Sequence, residues 1–112
     1  MIFVTGPLLA GKQEYICRAL ALSPEEFARR AVRDVETLAA DAPNLSALAD
    51  RLAQWEIVIA TEVGGGVVPA DPAERAAREA AGRLGCLLAE RADTVVRVCC
   101  GLPQVLKGEI PC

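Results

Sequence analysis

Apolar residues recur along the chain in two patterns, and the pattern distinguishes strands from helices. Short continuous runs of apolar and β-branched residues are typical of buried strands. Three such runs occur, at residues 2–5, 56–63 and 94–100. Elsewhere apolar residues return every three or four positions, as they do on one face of a helix. This spacing gives the order β-α-α-α-β-α-β, with predicted helices over residues 12–22, 23–40, 46–55 and 71–92.

Two of the predicted helices begin with capping sequences. Ser23-Pro24-Glu25-Glu26 and Asp71-Pro72-Ala73-Glu74 each combine a capping side chain with proline at the first helical position and glutamate at the third. That combination is typical of helix N-termini. The first of these helices has a predicted buried stripe of Phe27, Ala31, Val35 and Leu38. The second has a predicted stripe of Ala73, Ala77, Ala80, Leu84, Leu87 and Leu88.

Strands that alternate with helices imply parallel pairing through right-handed crossovers. The sequence therefore predicts a three-layer α/β domain with a small, mostly parallel sheet flanked by helices. Three strands are expected in this sheet, beginning at Ile2, Glu56 and Thr94. Because the chain has 112 residues and no repeat or linker, a single domain over residues 1–112 is predicted.

Charge and cysteine content exclude several classes of function. Twelve Lys and Arg against fifteen Asp and Glu give a net charge of −3, and without a basic stripe neither a nucleic-acid nor a membrane partner is expected. The five cysteines form no C-x-x-C pair, which argues against a zinc site and a disulfide framework. The apolar start lacks a basic leader, and no run reaches the roughly 20 residues of a membrane span, so a cytoplasmic protein is expected. Histidine is absent, which removes the commonest general base and metal ligand.

The residues between the first strand and the first helix match a phosphate-binding loop. Gly6, Gly11 and Lys12 occupy the fixed positions of G-x-x-x-x-G-K, in which backbone N–H groups and the lysine hold phosphates. Gln13 stands where the motif has Ser or Thr to hold Mg²⁺, and Pro7 lacks an N–H donor. Taken alone, the loop fits phosphate binding and an ordinary glycine-rich turn about equally well.

A more specific pattern begins near the end of the second predicted strand. It consists of Thr61-Glu62-Val63-Gly64-Gly65-Gly66-Val67-Val68-Pro69, then Arg75, Gly82-Arg83-Leu84, Ala92-Asp93, Gly101-Leu102-Pro103 and Leu106-Lys107. In order and spacing this run resembles the C-terminal half of the bifunctional adenosylcobinamide kinase/adenosylcobinamide-phosphate guanylyltransferase family. The resemblance implies a shortened, P-loop NTPase-like member of the cobalamin pathway, assembled as a homo-oligomer, with ATP or GTP as its ligand.

The departures from that family bear on activity. Full-length members carry further βα units before the Glu62 strand, and these units hold the guanylylated histidine and a strand-end aspartate for Mg²⁺. Here the region is predicted to contain only helices, so both elements are expected to be missing. Thr61 and Gln13 also replace the family's Asn and its Ser or Thr. Without histidine no guanylyl-histidine can form, which excludes guanylyl transfer by the family mechanism.

Five residues are candidates for nucleotide binding, and no residue is assigned as catalytic or as a metal ligand. Glu62 ends a strand, where functional groups of open α/β sheets gather, and it could contact a ribose or hold Mg²⁺ through water; a solvated carboxylate is the alternative. The glycines at 64–66 would let the backbone approach a ligand. Tight Mg²⁺ binding is not expected, because an amide oxygen at Gln13 is a poorer ligand than a hydroxyl. The candidates are Gly6, Gly11, Lys12, Gln13 and Glu62.

Three functions remain open on these grounds. The first is a catalytically degenerate protein that binds a nucleotide or a phosphate anion, and the intact Gly6, Gly11 and Lys12 favour it. The second is a structural or regulatory subunit that binds no nucleotide and associates with a full-length cobinamide kinase, which Pro7 and Gln13 favour. The third, a residual adenosylcobinamide kinase that relies on Glu62 for its metal, is the least supported.

Overall fold

A computed structural model describes residues 1–63 and 71–110, and over these ranges the chain forms a five-stranded sheet with helices on both faces. The strands are β1 (Ile2–Gly6), β2 (Ala31–Val32), β3 (Ile57–Thr61), β4 (Thr94–Cys99) and β5 (Leu102–Lys107). The helices are α1 (Lys12–Ala19), α2 (Pro24–Arg30), α3 (Leu45–Leu52) and α4 (Pro72–Arg91), with a 3₁₀ turn at Val35–Leu38. The glycines at 64–66, which are predicted to let the backbone approach a ligand, lie outside the described residues.

The sheet has the strand order β2-β3-β1-β4-β5. The first four of these strands are parallel, and β5 is antiparallel to β4. Ile2 lies between Ile57 and Thr94 in the register of the three central strands. The α/β class and the three predicted strands are therefore confirmed, with β3 beginning one residue later than Glu56.

The prediction of only three strands was wrong at two places. The capped helix at Ser23 ends at Arg30 rather than near residue 40, because Ala31 is already extended and pairs with Ile57 as part of β2. Asp34 then has a left-handed backbone, with φ of 57°. The helical spacing of the apolar residues here is a coincidence of the sequence, because Phe27 and Val35 pack on opposite faces of the sheet.

The second missed strand is β5. The last predicted strand ends at residue 100, where Cys100 and Gly101 both have positive φ and turn the chain back on β4. Positive φ at two successive residues suits a tight hairpin. Pro103 is compatible with this strand because β5 is at the edge of the sheet, where a missing N–H leaves no ladder bond unmade.

Two apolar cores, one on each face of the sheet, produce the three layers. On one face α3, α4 and the 3₁₀ turn cover the sheet with a cluster that includes Leu48, Leu52, Leu84 and Leu88. On the other face α1 and α2 contribute Ile16 and Phe27. The buried stripe predicted for α4 is confirmed at Leu84 and Leu88, which are buried. It is wrong at Ala73, which is exposed in the first turn of the helix.

Both helix caps predicted from the sequence are present. The Ser23 side chain accepts a bond from the N–H of Glu26, whose side chain in turn accepts from the Ser23 N–H. The Asp71 side chain accepts from the N–H of Ala73. None of the helices in residues 1–63 and 71–110 is long and apolar enough to cross a membrane.

An ion pair at the amino terminus leads to a prediction about acid stability. The terminal ammonium of Met1 lies 2.6 Å from Asp93 Oδ2 and lowers the pKa of that carboxyl by hydrogen bonding and by its charge. A carboxyl whose folded pKa is depressed stabilises the protein above its unfolded pKa, and this contribution is lost as pH falls through the folded pKa. We therefore expect Asp93→Asn to unfold at lower urea at pH 7, and the difference from wild type to shrink below about pH 4.

Urea titrations between pH 7 and pH 2 check this expectation. Asp41→Asn removes an exposed loop carboxylate and serves as the matched control. A difference between wild type and Asp93→Asn that stays constant over the whole pH range would contradict the ion-pair explanation.

Candidate functional site

The loops that follow the parallel strands meet at one edge of the sheet. This edge is where ligands bind in open α/β sheets. The N–H of Glu62, after β3, donates to the carbonyl oxygen of Gly6 at 2.8 Å. The N–H of Gly101, in the β4–β5 turn, donates to the carbonyl oxygen of Ala10 at 2.8 Å. The loop after β1 is therefore held from both sides by its neighbours.

The loop after β1 has a conformation that needs its two glycines. A Cβ on Gly6 would lie 2.1 Å from the carbonyl oxygen of Val98. Gly11 has a φ of 83° and caps α1 without a side chain. The first N–H groups of α1 therefore receive no side-chain cap and can meet an anion at this end of the helix. Leu8 and Leu9 project from the loop into solvent.

Lys12 lies inside the loop and is only 8% exposed. Its ammonium donates to the carbonyl oxygens of Pro7 at 2.7 Å and Gly6 at 3.3 Å. Burial lowers the pKa of Lys12, while the nearby carboxylates of Glu36, Asp34 and Glu62 act in the opposite direction. The lysine is held against the loop after β1, with two backbone carbonyls of that loop as its partners.

Gln13, which stands at the position of the motif's metal-binding hydroxyl, has a charged partner. Its Oε1 accepts a hydrogen bond from Arg33 Nη1 at 2.7 Å. Arg33 directly follows β2, and its Nε lies 3.8 Å from Asp34 Oδ2. The side-chain oxygen of Gln13 is thus hydrogen-bonded to a guanidinium.

Glu62 forms a bidentate ion pair across the end of β1. Arg97, on β4, donates from Nε to Oε1 at 2.5 Å and from Nη2 to Oε2 at 3.0 Å. A second carboxylate, Glu36 Oε1, accepts from the N–H of Thr61 at 2.7 Å. Both carboxylates therefore have partners within the protein, and Glu62 is exposed to solvent as well as paired.

The candidate residues are divided between two neighbouring cavities. A cavity of about 320 Å³ is lined by the loop after β1 together with Arg33, Asp34 and Thr61. Gly11, Lys12 and Gln13 all line it. Glu62 instead lines a second cavity, of about 290 Å³, between α4 and the sheet. The structure therefore brings three of the five predicted residues together at the first cavity. Gly6 lies at the start of the loop, and Glu62 lines the second cavity.

Sequence reasoning missed Arg33, Asp34 and Glu36, all of which reach this edge of the sheet. They were assigned to a helix, so their position at the end of a strand was not recognised. The prediction of only helices in this region was wrong at β2, and Asp34 comes two residues after that strand. The available signal was weak: a two-residue Ala31-Val32 run followed by two charged residues.

A resident Mg²⁺ ion would need oxygen ligands at this edge. Magnesium requires near-octahedral oxygen ligands at short distance. Within residues 1–63 and 71–110, no group of three or more Cys, Asp or Glu side chains could hold a metal ion. The oxygen of Gln13 is occupied by Arg33. The charged side chain bonded to Gln13 is that of Arg33.

Comparison with known proteins gives one family. The family model described as cobinamide kinase / cobinamide phosphate guanyltransferase matches residues 24–106. The matched range includes Arg33, Glu62 and Arg97 and begins after the loop that holds Lys12. No curated protein matches the chain.

Proposed function

Because the chain belongs to the cobinamide kinase / cobinamide phosphate guanyltransferase family, we propose that it binds nucleotide phosphates at the loop after β1 without catalysing guanylyl transfer. The family connects the chain to cobalamin biosynthesis and to kinase and transferase chemistry. The proposal concerns which part of that chemistry this shortened chain retains. ATP and GTP are the proposed ligands.

The observation that carries the proposal is the meeting of Lys12 with the uncapped start of α1 at a cavity of about 320 Å³. A helix N-terminus favours an anion by about 0.3–1 kcal/mol when exposed. A charge-assisted hydrogen bond from the lysine adds roughly 1.5–3 kcal/mol. Both contributions act at the same place and favour the same charge.

Two features of the loop keep the proposed affinity low. Lys12 already donates to Pro7 and Gly6, so a phosphate oxygen must replace those carbonyl acceptors. Pro7 contributes no N–H to the cradle. Four carboxylates also lie close enough to act on Lys12: Glu14, Asp34, Glu36 and Glu62. Binding in the high micromolar to millimolar range is proposed.

Catalysis is proposed to be lost for two separate reasons. Guanylyl transfer through a histidine is impossible in a chain that contains none. Phosphoryl transfer depends on a metal ion that neutralises developing charge, and the Oε1 of Gln13 is already bonded to Arg33. Negligible turnover of cobinamide is therefore proposed even where nucleotide binds.

Lys12→Ala provides the direct test of nucleotide binding. We expect the variant to bind ATP and GTP roughly ten- to a hundredfold more weakly than wild type, because a charge-assisted hydrogen bond is removed. Isothermal titration calorimetry at millimolar nucleotide measures this difference. Lys107, the chain's only other lysine, donates to carbonyls at the end of α4 and gives the matched control Lys107→Ala.

Two results would overturn the proposal. Equal affinities for wild type and Lys12→Ala would remove the loop from the binding site. If wild type does not bind ATP or GTP at millimolar concentration, the alternative of a structural or regulatory subunit that binds no nucleotide is favoured instead.

The subunit alternative rests on the surface of β5. All six residues of this edge strand are exposed, including Leu102 at 71% and Leu106 at 54%. An unpaired edge with apolar side chains can add a strand from another chain. In this alternative β5 would contact a second copy or a full-length cobinamide kinase, and homo-oligomer formation remains a proposal on the same basis.

A further inference from the structure

Arg33 contacts the residue to which the P-loop motif assigns metal binding. In the motif, the residue after the lysine supplies a hydroxyl to Mg²⁺, and the ion then contacts the phosphates. Here that residue is Gln13, and its carbonyl oxygen accepts a bond from Arg33 at 2.7 Å. A fixed positive charge therefore lies next to the side chain that would otherwise hold the metal.

The geometry of Arg33 leaves it able to bind a ligand. A guanidinium has five N–H donors, and the bond to Gln13 uses one of them. The side chain is 61% exposed, so its remaining donors can reach a ligand in the cavity. Asp34 Oδ2 is 3.8 Å away, a distance that provides charge compensation without a hydrogen bond.

We propose that Arg33 is a second phosphate-binding residue, which takes the place of the divalent cation in this chain. Lys12 and Arg33 line the same cavity of about 320 Å³, so a polyphosphate can contact both cations. A guanidinium suits this role because it stays charged and matches two phosphate oxygens at once. The ligand class is a metal-free nucleoside di- or triphosphate. This inference rests on the proposed phosphate binding at Lys12.

The hydrogen bond from Arg33 also gives a role to the glutamine that stands where the motif has Ser or Thr. The glutamine side chain places its carbonyl oxygen 2.7 Å from Arg33 Nη1. Gln13 is in this view a positioning residue that orients Arg33.

The test is a titration in EDTA with inorganic tripolyphosphate and with ATP as the probes. We expect Arg33→Ala to weaken the binding of both by roughly ten- to a hundredfold, and Arg33→Lys to restore part of the loss. The matched control is Arg29→Ala, because Arg29 is exposed on α2 and lines a different cavity with Trp55. Addition of Mg²⁺ is expected to change the wild-type affinity less than threefold.

The possible results separate this inference from the proposed function. If Lys12→Ala weakens binding and Arg33→Ala does not, the role of Arg33 is refuted and phosphate binding stands. If Mg²⁺ tightens wild-type binding tenfold or more, the arginine does not replace the metal. If wild type binds neither probe, both proposals fall together. Circular dichroism of Arg33→Ala confirms that any loss is not due to unfolding.

Discussion

Gly6→Ala is expected to lower the free energy of unfolding by about 3 kcal/mol or more. A Cβ at this position would lie 2.1 Å from the carbonyl oxygen of Val98 and 3.3 Å from its nitrogen. Both are backbone atoms of β4, so no side chain can rotate away to make room. β1 and β4 would have to separate where the loop begins. Urea denaturation followed by circular dichroism measures the loss.

A glycine without close neighbours provides the control for this prediction. Gly82 lies within α4, and an added Cβ there would meet no atom within 4 Å. Alanine is the better helix former, so Gly82→Ala should raise the free energy of unfolding by about 0.5–1 kcal/mol. If Gly6→Ala proved as stable as wild type, the close approach of β1 to β4 would not exist as described.

The second large effect is expected at Leu88. This side chain is fully buried in the core between α4 and the sheet. Truncation to alanine removes apolar contacts and leaves a cavity, and the typical cost is about 2–5 kcal/mol. Leu88→Ala should therefore unfold at a much lower urea concentration than wild type, when the two proteins are measured at the same pH and salt.

The neighbouring residue makes the comparison specific to burial. Leu87 is on the same helix and only partly buried, so Leu87→Ala has the same helix propensity change with a smaller loss of contacts. A smaller destabilisation is expected there. Equal losses at the two positions would mean that α4 does not present the described face to the sheet.

The three central strands could be predicted because each is a continuous apolar run between helices. β2 could not, since a strand of two residues has no periodicity of its own and exists through its pairing with Ile57 and Val58. β5 was missed for a different reason. A Gly-Leu-Pro sequence both ends strands and turns hairpins, and only the positive φ of Cys100 and Gly101 decides between the two.

The same distinction applies to the candidate site residues. Gly6, Gly11 and Lys12 belong to a local motif that can be recognised from spacing alone. The partner of Glu62 is 35 residues away, and their contact depends on β1 lying between β3 and β4. Arg33 could not be placed before β2 was known, because its position comes from strand pairing rather than from any motif.

The bond from Gly101 to Ala10 links two segments that are far apart in the sequence. It joins the turn of the β4–β5 hairpin to the loop that holds Lys12, and a Cβ on Gly11 would lie 3.5 Å from the Cα of Gly101. A protein that restrains the hairpin by pairing with β5 would also restrain the loop. By thermodynamic linkage, a ligand that orders the loop must then change the affinity for that protein by the same factor.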